Sequence, residues 1–252
     1  MPKLDKTQYS KEEAARLMEI RRLEKVSRQK KEIFAKRTKP ISFIEEEPID
    51  IERFRHNQKF AFVLGNGVSR GFVEPQDLKI YGPIYGCNAL YRTFRPDYLV
   101  AVDVKMVLEI NKSGYQNKNQ VWTNPNNSYR GIQHLNFFQP SKGWSSGPTA
   151  LWLSAQHRHN QIYILGFDYR GLNDGQRFNN LYADTPNYKR SQDGATFFGN
   201  WLRQTVSVVK EHPETQFYRV IAPDNYCPDE LNTLENYNTI SIKEFKTRFV
   251  LP

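Results

Sequence analysis

Small and polar residues follow four apolar runs of this sequence, in positions where a phosphate-bearing ligand could bind. The four clusters are Gly65-Asn66-Gly67-Val68-Ser69, Gly86-Cys87-Asn88, Asp103 and Gly166-Phe167-Asp168-Tyr169. A buried strand that breaks into a glycine turn points backbone N–H groups out of the carboxyl edge of a sheet, where open α/β proteins bind phosphates. Because parallel strands end at one edge, the four clusters could converge on one ligand. Taken singly, each also fits an ordinary turn or brace.

A fifth segment, Ser145-Ser146-Gly147-Pro148, has the composition of a helix N-terminus. Serine hydroxyls suit an N-cap and proline suits the first helical turn, so the segment is either an ordinary cap or an anion site. The predicted ligand-binding residues are Gly65, Asn66, Gly67, Ser69, Asn88, Ser145, Ser146, Gly147 and Asp168. The glycine spacing is neither a dinucleotide fingerprint nor a P-loop. With no Asp-x-Asp pair for a metal-bound nucleotide sugar, we expect no metal and no cofactor.

The elements that must position these clusters alternate between strand and helix. Strands are predicted at 59–64, 80–85, 98–102, 119–123, 133–138, 161–165 and 216–221, and helices at 104–111, 147–159, 194–211, 228–235 and 241–248. This alternation predicts an α/β, Rossmann-like fold with a mostly parallel sheet and helices on both faces. Residues 170–192, which are polar and aromatic, follow a strand end, so we expect a lid or acceptor loop there.

A basic arm precedes this domain. Residues 1–39 carry a net charge of +7 and the rest of the chain only +2, so the charge indicates the arm's partners and not the domain's. Ser10 and Glu13 form a capping box, and residues 11–37 are predicted to be one long helix. We expect two parts: a basic helical arm with an acidic linker at 1–56, and a Rossmann-like nucleotide-binding domain at 57–252. The arm is a solvated helix, a docking segment for a protein partner or sister subunit, or a site for nucleic acid or anionic membrane.

Bulk properties favour a cytoplasmic protein. No apolar run approaches the roughly 18 residues that a membrane span requires, and the charged N-terminus lacks the apolar core of a signal peptide. The two cysteines, Cys87 and Cys227, lie far apart without metal-ligand spacing, so we expect both to be reduced. His157 and His159 are placed late in a predicted helix, and we expect them at the surface.

The ordered motifs resemble those of a known family. Gly65-Asn66-Gly67-Val68-Ser69, Gly86-Cys87-Asn88-Ala89-Leu90-Tyr91, Ser145-Ser146-Gly147 and Ile162-Tyr163-Ile164-Leu165-Gly166-Phe167-Asp168-Tyr169 follow the order seen in bacterial sialyltransferases of glycosyltransferase family 42. Motility-accessory-factor-like and pyrophosphokinase-like proteins carry similar motifs. The resemblance covers about residues 59–170. It implies a cytidine-nucleotide site, with Asn66 and Asn88 on the nucleotide and its phosphate, and residues 145–147 on the ribose or cytosine side.

The catalytic residues of that family are matched only in part. Its tyrosines, which stabilise the departing phosphate, fall on Tyr182 and on Arg170, and an arginine can still neutralise phosphate. Its general-base histidine is absent, and Val68 replaces its proline. Asp193 is the nearest proton acceptor, although it also suits the N-cap of the following helix. A missing base typically lowers the rate about 10²–10⁴-fold, so the acceptor differs, another residue serves, or catalysis has been lost.

The resemblance therefore implies a metal-independent glycosyltransferase-like protein that binds a nucleotide sugar of the CMP type, in which Tyr182, Arg170 and Asp193 are the candidate catalytic residues. The alternative is a non-catalytic assembly or structural protein with a degenerate transferase fold. That alternative rests on the missing histidine and on the separate charge of the arm, which would bind the partners. The combination of a lysine-rich arm and a reduced Gly-Asn-Gly domain also resembles tailed-phage proteins. A third option is sugar transfer to nucleic acid captured by the arm.

Overall fold

An eight-stranded, fully parallel sheet forms the centre of the protein. The computed structural model describes residues 59–223 and 225–252, so the predicted basic helix and the boundary at residue 56 lie outside the described residues. The strands are β1 (Phe60–Leu64), β2 (Ile84–Cys87), β3 (Tyr98–Val100), β4 (Val121–Thr123), β5 (Asn136–Phe137), β6 (Gln161–Leu165), β7 (Gln216–Ile221) and β8 (Tyr237–Ser241). Their spatial order is β5-β4-β3-β2-β1-β6-β7-β8.

Helices pack on both faces of this sheet. They are α1 (Val104–Ser113), α2 (Ser146–Gln156), the single turn α3 (Leu172–Gly175), α4 (Gly199–Glu211), the short α5 (Asp229–Asn232) and α6 (Ile242–Arg248). Short 3-10 turns connect several strands to the next element, and two of them, Val68–Phe72 and Asn88–Arg92, follow β1 and β2 at the site edge.

Strand β1 shows why both faces must be covered. Ala61 and Val63 belong to the apolar cluster that packs under α2 and α4, whereas Phe62 and Leu64 belong to the cluster on the opposite face. All four side chains are fully buried, as expected for a central strand of a parallel sheet. The predicted α/β, Rossmann-like fold is confirmed for the described residues.

Three boundaries differ from the predictions for local reasons. Strand β8 was missed because its two buried residues, Tyr237 and Ile240, are three positions apart, so this edge strand lacks the alternation that predicts a strand. Helix α4 begins at Gly199 and not at residue 194, because residues 194–195 hydrogen-bond back to the preceding loop. Strand β2 begins at Ile84, after the Gly82-Pro83 turn, where a side chain at Gly82 would lie 2.3 Å from the Phe60 carbonyl oxygen.

No helix within residues 59–223 and 225–252 has the length and apolar character needed to cross a bilayer. Within those ranges, no group of three or more histidine, cysteine, aspartate or glutamate side chains is arranged to bind a metal ion.

At the amino-terminal edge of the sheet, opposite the strand ends that carry the motifs, a tyrosine bridges two histidines. The Tyr85 hydroxyl lies 2.6 Å from Nδ1 of His157 and 2.9 Å from Nε2 of His159, and the Tyr98 ring stacks on Tyr85 with centroids 4.7 Å apart. His159 is buried, so its predicted surface position is wrong. Burial lowers the pKa of His157 below its ordinary value.

This cluster predicts a loss of stability in mild acid. Because the pKa of folded His157 is depressed, the unfolded chain takes up a proton first as the pH falls below the ordinary histidine value of about 6.5. The contribution to stability is therefore fully present above that pH and is lost as the pH falls towards the folded pKa. Urea unfolding at about pH 7.5 and about pH 5.5 should show a smaller acid loss for His157→Gln than for the unaltered chain. Equal losses would contradict this assignment.

Candidate functional site

The loops after β1 and β6 are packed against each other more closely than any side chain would allow. A Cβ atom at Gly65 would lie 2.6 Å from the carbonyl oxygen of Gly166, and one at Gly67 would lie 2.5 Å from Oδ2 of Asp168. Gly67 has ordinary extended dihedrals. Its glycine identity is therefore required by this close approach and not by backbone conformation.

The same packing corrects the role expected of the Gly-Asn-Gly turn. Gly65 N–H donates to the Leu165 carbonyl, and Gly67 N–H donates to the Gly166 carbonyl, at 2.8 and 2.9 Å. Val68 N–H donates to Oδ1 of Asn179 at 2.9 Å. The expectation that these groups project free from the sheet edge is wrong, because the neighbouring loops accept their hydrogen bonds.

The Asp168 carboxylate is the common acceptor of this arrangement. It accepts hydrogen bonds from the backbone N–H and the hydroxyl of Ser69, from Nδ2 of Asn179 at 3.0 Å and from Nδ2 of Asn225 at 3.3 Å. Asp168 is 7 % exposed. Four donors from three segments therefore satisfy a buried charge, and the side chain braces the loops.

A buried arginine bonds to the backbone of the same residue. Arg219, on β7, is 1 % exposed and donates to the carbonyls of Tyr226 and Asp168 at 2.9 and 3.5 Å. Its guanidinium also lies 5.0 Å from the centroid of the Tyr169 ring. These bonds from Arg219 to backbone carbonyls connect β7 to the β6 loop and to the segment around Tyr226.

A cavity of about 260 Å³ opens at this edge of the sheet. Its volume is near the lower end of the roughly 300–1,000 Å³ typical of small-molecule sites. Of the predicted binding residues it is lined by Gly65, Asn66, Gly67, Asn88, Ser145, Ser146, Gly147 and Asp168. The predicted convergence of separate strand ends on one cavity is therefore what the structure shows.

The N-terminus of α2 supplies the free backbone donors of this cavity. Ser145 is the N-cap residue, and no side chain caps the helix, so the N–H groups of Ser146 and Gly147 have no partner within it. Instead of capping, the Ser146 hydroxyl donates to Oδ1 of Asn88 at 2.8 Å and accepts from Val102 N–H. The bond to Ser146 orients the Asn88 amide and leaves its Nδ2 available to a ligand.

Asn66 lines the same cavity and has an unsatisfied acceptor in its side chain. Its Nδ2 donates to the Cys87 carbonyl at 3.1 Å and to the Tyr188 hydroxyl at 3.3 Å. Its Oδ1 is buried and has no hydrogen-bond partner among the described residues. Since an unmet buried acceptor is costly, this oxygen is suited to accept a hydrogen bond from a ligand.

Tyr188 reaches the site because its loop is bonded to α1 and to the turn after β2. Arg92 forms a two-pronged ion pair with Glu109, at 2.7 and 2.6 Å, and also donates to Thr185 and to the Pro186 carbonyl. Asn187 donates to the same Glu109 carboxylate at 2.6 Å. Burial raises the pKa of Glu109, but the hydrogen bonds from Arg92 and its neighbours outweigh that effect and lower it.

Of the three predicted catalytic residues, the cavity lining includes Arg170 but neither Tyr182 nor Asp193. Arg170 lines the cavity, with its guanidinium 5.8 Å from the centroid of the Tyr226 ring. Tyr182 is 3 % exposed, its hydroxyl lies 2.8 Å from that of Thr93, and it is not among the residues that line the cavity. Its role in stabilising a phosphate remains a prediction.

Asp193 and Ser69 are likewise placed away from the cavity wall. Asp193 accepts a hydrogen bond from Arg190 N–H at 2.7 Å within a loop turn. It is not the predicted N-cap of the next helix, because Phe198 occupies that position. The Ser69 hydroxyl donates to Asp168 and is thereby unavailable to a ligand.

Sequence reasoning missed several residues of the wall. Those that it did not select include Asp103, Phe167, Phe178, Asn179, Asn180, Phe198 and Trp201. Asp103 was recognised as a strand-end residue, and its position after β3 was the available signal. The aromatic side chains follow from how residues 176–201 fold back, for which the sequence offers no spacing rule.

Comparisons with known proteins add little to this geometry. No family model matches the chain, and no curated protein matches it in sequence. One solved structure found to be similar is the sialyltransferase CST-II in complex with a trisaccharide acceptor and CMP. It has a TM-score of 0.38 and 12 % sequence identity, and the match covers 64 % of this chain and 80 % of that one. A likeness this low supports no conclusion about the activity of this chain.

The bracing role of Asp168 can be tested by an isosteric change. Asp168→Asn keeps the shape of the side chain but replaces one acceptor oxygen by a donor, which then faces the donors of Ser69, Asn179 or Asn225. We expect the free energy of unfolding to fall by about 2–4 kcal/mol, because hydrogen bonds to charged groups contribute about 1.5–3 kcal/mol each. The measurement is chemical denaturation followed by circular dichroism.

Asp229→Asn is the matched control, since Asp229 is exposed on the short helix α5. Its expected change is within about 0.5 kcal/mol. A loss for Asp168→Asn no greater than that of the control would show that the four donors do not brace the loops.

Proposed function

We propose that this protein binds a nucleotide sugar of the CMP type in the 260 Å³ cavity and acts as a glycosyltransferase. The observation that carries the proposal is the set of unused polar groups in one cavity. The set comprises two backbone N–H groups of α2, Nδ2 of Asn88 and the unpartnered Oδ1 of Asn66. These groups match a ligand that carries both an anion and hydrogen-bond donors.

The phosphate is assigned to the α2 end of the cavity. Backbone N–H groups and the helix dipole favour a negative charge at a helix N-terminus, and α2 has 11 residues, which is long enough to supply that field. Nδ2 of Asn88 donates to the same phosphate. Arg170, which also lines the cavity, adds a cation that neutralises the charge of the leaving group.

The base and the sugar are assigned to the remaining wall. Phe167, Phe178 and Phe198 provide aromatic surface on which a nucleobase or a sugar ring can pack. Oδ1 of Asn66 accepts from a hydroxyl or amino group of the ligand. The choice of cytidine over other bases rests on the resemblance of the motifs to sialyltransferases, so the experiment compares the bases directly.

The reaction would be group transfer to an acceptor hydroxyl. The acceptor oxygen attacks the anomeric carbon of the sugar, and the bond between that carbon and the phosphate oxygen breaks. The electron pair leaves with CMP, whose charge is stabilised by the α2 N–H groups and Arg170. The acceptor loses a proton. The alternative assembly role rests on residues 1–56, which lie outside the described residues.

Isothermal titration with CMP, CDP, UDP and GDP tests the binding. We expect CMP to bind, and Asn66→Ala and Asn88→Ala each to weaken it by about 1–3 kcal/mol, the cost of a lost polar contact in a buried site. Asn200→Ala is the matched control, because Asn200 is exposed on α4 and its side-chain oxygen accepts from Arg203. Absence of binding by all four nucleotides at millimolar concentration would overturn the proposed function.

A further inference from the structure

A second cavity, of about 360 Å³, adjoins the first. It lies between the start of α1 and the loop around residue 187, and Asn88 and Asp103 line both cavities. A ligand in the first cavity and a ligand in the second would therefore meet at these two side chains. Such a meeting point is what a transfer between two substrates requires.

We propose that the second cavity binds the acceptor as a carbohydrate, and that the Asp103 carboxylate takes the proton of its attacking hydroxyl. The proposal rests on the proposed function, since it assigns the acceptor side of the same reaction. It also names a proton acceptor that differs from Asp193 and that the sequence indicated only as a strand-end residue.

The lining of the second cavity is suited to a polyhydroxyl compound. Asn88, Lys105 and Asn187 provide side-chain amide or ammonium groups, and Val104 and Met106 provide apolar surface against which a sugar face can pack. The Tyr188 hydroxyl accepts hydrogen bonds from Asn66 and from Ala89 N–H, so its own proton remains to be donated. Burial raises the pKa of Tyr188 to about 12, which keeps that proton in place at neutral pH.

Elimination among nearby carboxylates favours Asp103. Asp168 accepts four hydrogen bonds within the protein, and Glu109 is engaged by Arg92. Asp193 belongs to a loop turn and lines neither cavity. Asp103 is exposed, and its carboxylate forms no hydrogen bond with any described residue, not even as the N-cap of α1.

The proton balance of the step is simple. As the acceptor oxygen forms its bond to the anomeric carbon, its proton passes to a carboxylate oxygen of Asp103, and CMP departs with the electron pair of the broken bond. The protonated Asp103 then releases the proton to solvent, to which it is exposed. No oxidant, reductant or further reactant is needed.

The test measures CMP release from CMP-N-acetylneuraminic acid by the full chain, with lactose as acceptor and, separately, with water. Asp103→Asn should lower kcat by about 10²–10⁴-fold, the usual contribution of a general base. Asp103→Asn should still bind CMP, which also shows that the variant is folded. Asp103→Glu should restore part of the rate, and the acid limb of the pH profile of kcat/KM should be absent in Asp103→Asn.

Asp229→Asn is the matched control and should retain full turnover. Full turnover by Asp103→Asn would overturn the inference. So would a loss of turnover by Asp193→Asn equal to that of Asp103→Asn, because the proton acceptor would then be in the loop turn. A chain that binds CMP but releases none from the donor also overturns it, since no proton is then transferred. Absence of CMP binding would instead overturn the proposed function on which this inference rests.

Discussion

The buried carboxylate of Asp168 is the constraint on which the site depends. Four donors reach it from Ser69, Asn179 and Asn225, and a buried charge without such partners would be strongly destabilising. Satisfying it draws the loops after β1 and β6 together until only glycine fits at Gly65 and Gly67. The glycines of the opening motif are therefore a consequence of how this charge is buried.

That requirement decides which groups remain for a ligand. Most N–H groups of the β1 loop are bonded to neighbouring loops, so an anion cannot use them. The donors that remain belong to α2, because the side chain of its N-cap residue Ser145 does not cap the helix. One part of the edge is thus rigid scaffold and the adjacent part is available for binding, a division that supports a preorganised site.

The sequence predicted the parts of this site that follow from local rules. Apolar runs ending in small residues predicted strand ends, and the parallel arrangement placed Asn66, Asn88 and Ser146 at one cavity. The roles of Asp193 and Tyr188 could not be predicted, because they depend on how residues 176–194 fold back and bond to α1 and β1. The buried position of His159 likewise depends on Tyr85, a partner 74 residues away in the chain.

Tyr188 connects the two cavities physically. Its hydroxyl accepts from Asn66, which lines the first cavity, and from Ala89 N–H, and Tyr188 itself lines the second cavity. The loop that carries it is bonded to α1 through Glu109. Asn66 is bonded to Tyr188, which lines the proposed acceptor cavity. A ligand that forms a hydrogen bond with Asn66 in the first cavity is therefore coupled to the second. For the proposed transfer, this retained network matters more than the absent histidine, because it would orient both substrates around Asp103, a carboxylate that forms no hydrogen bond with any described residue.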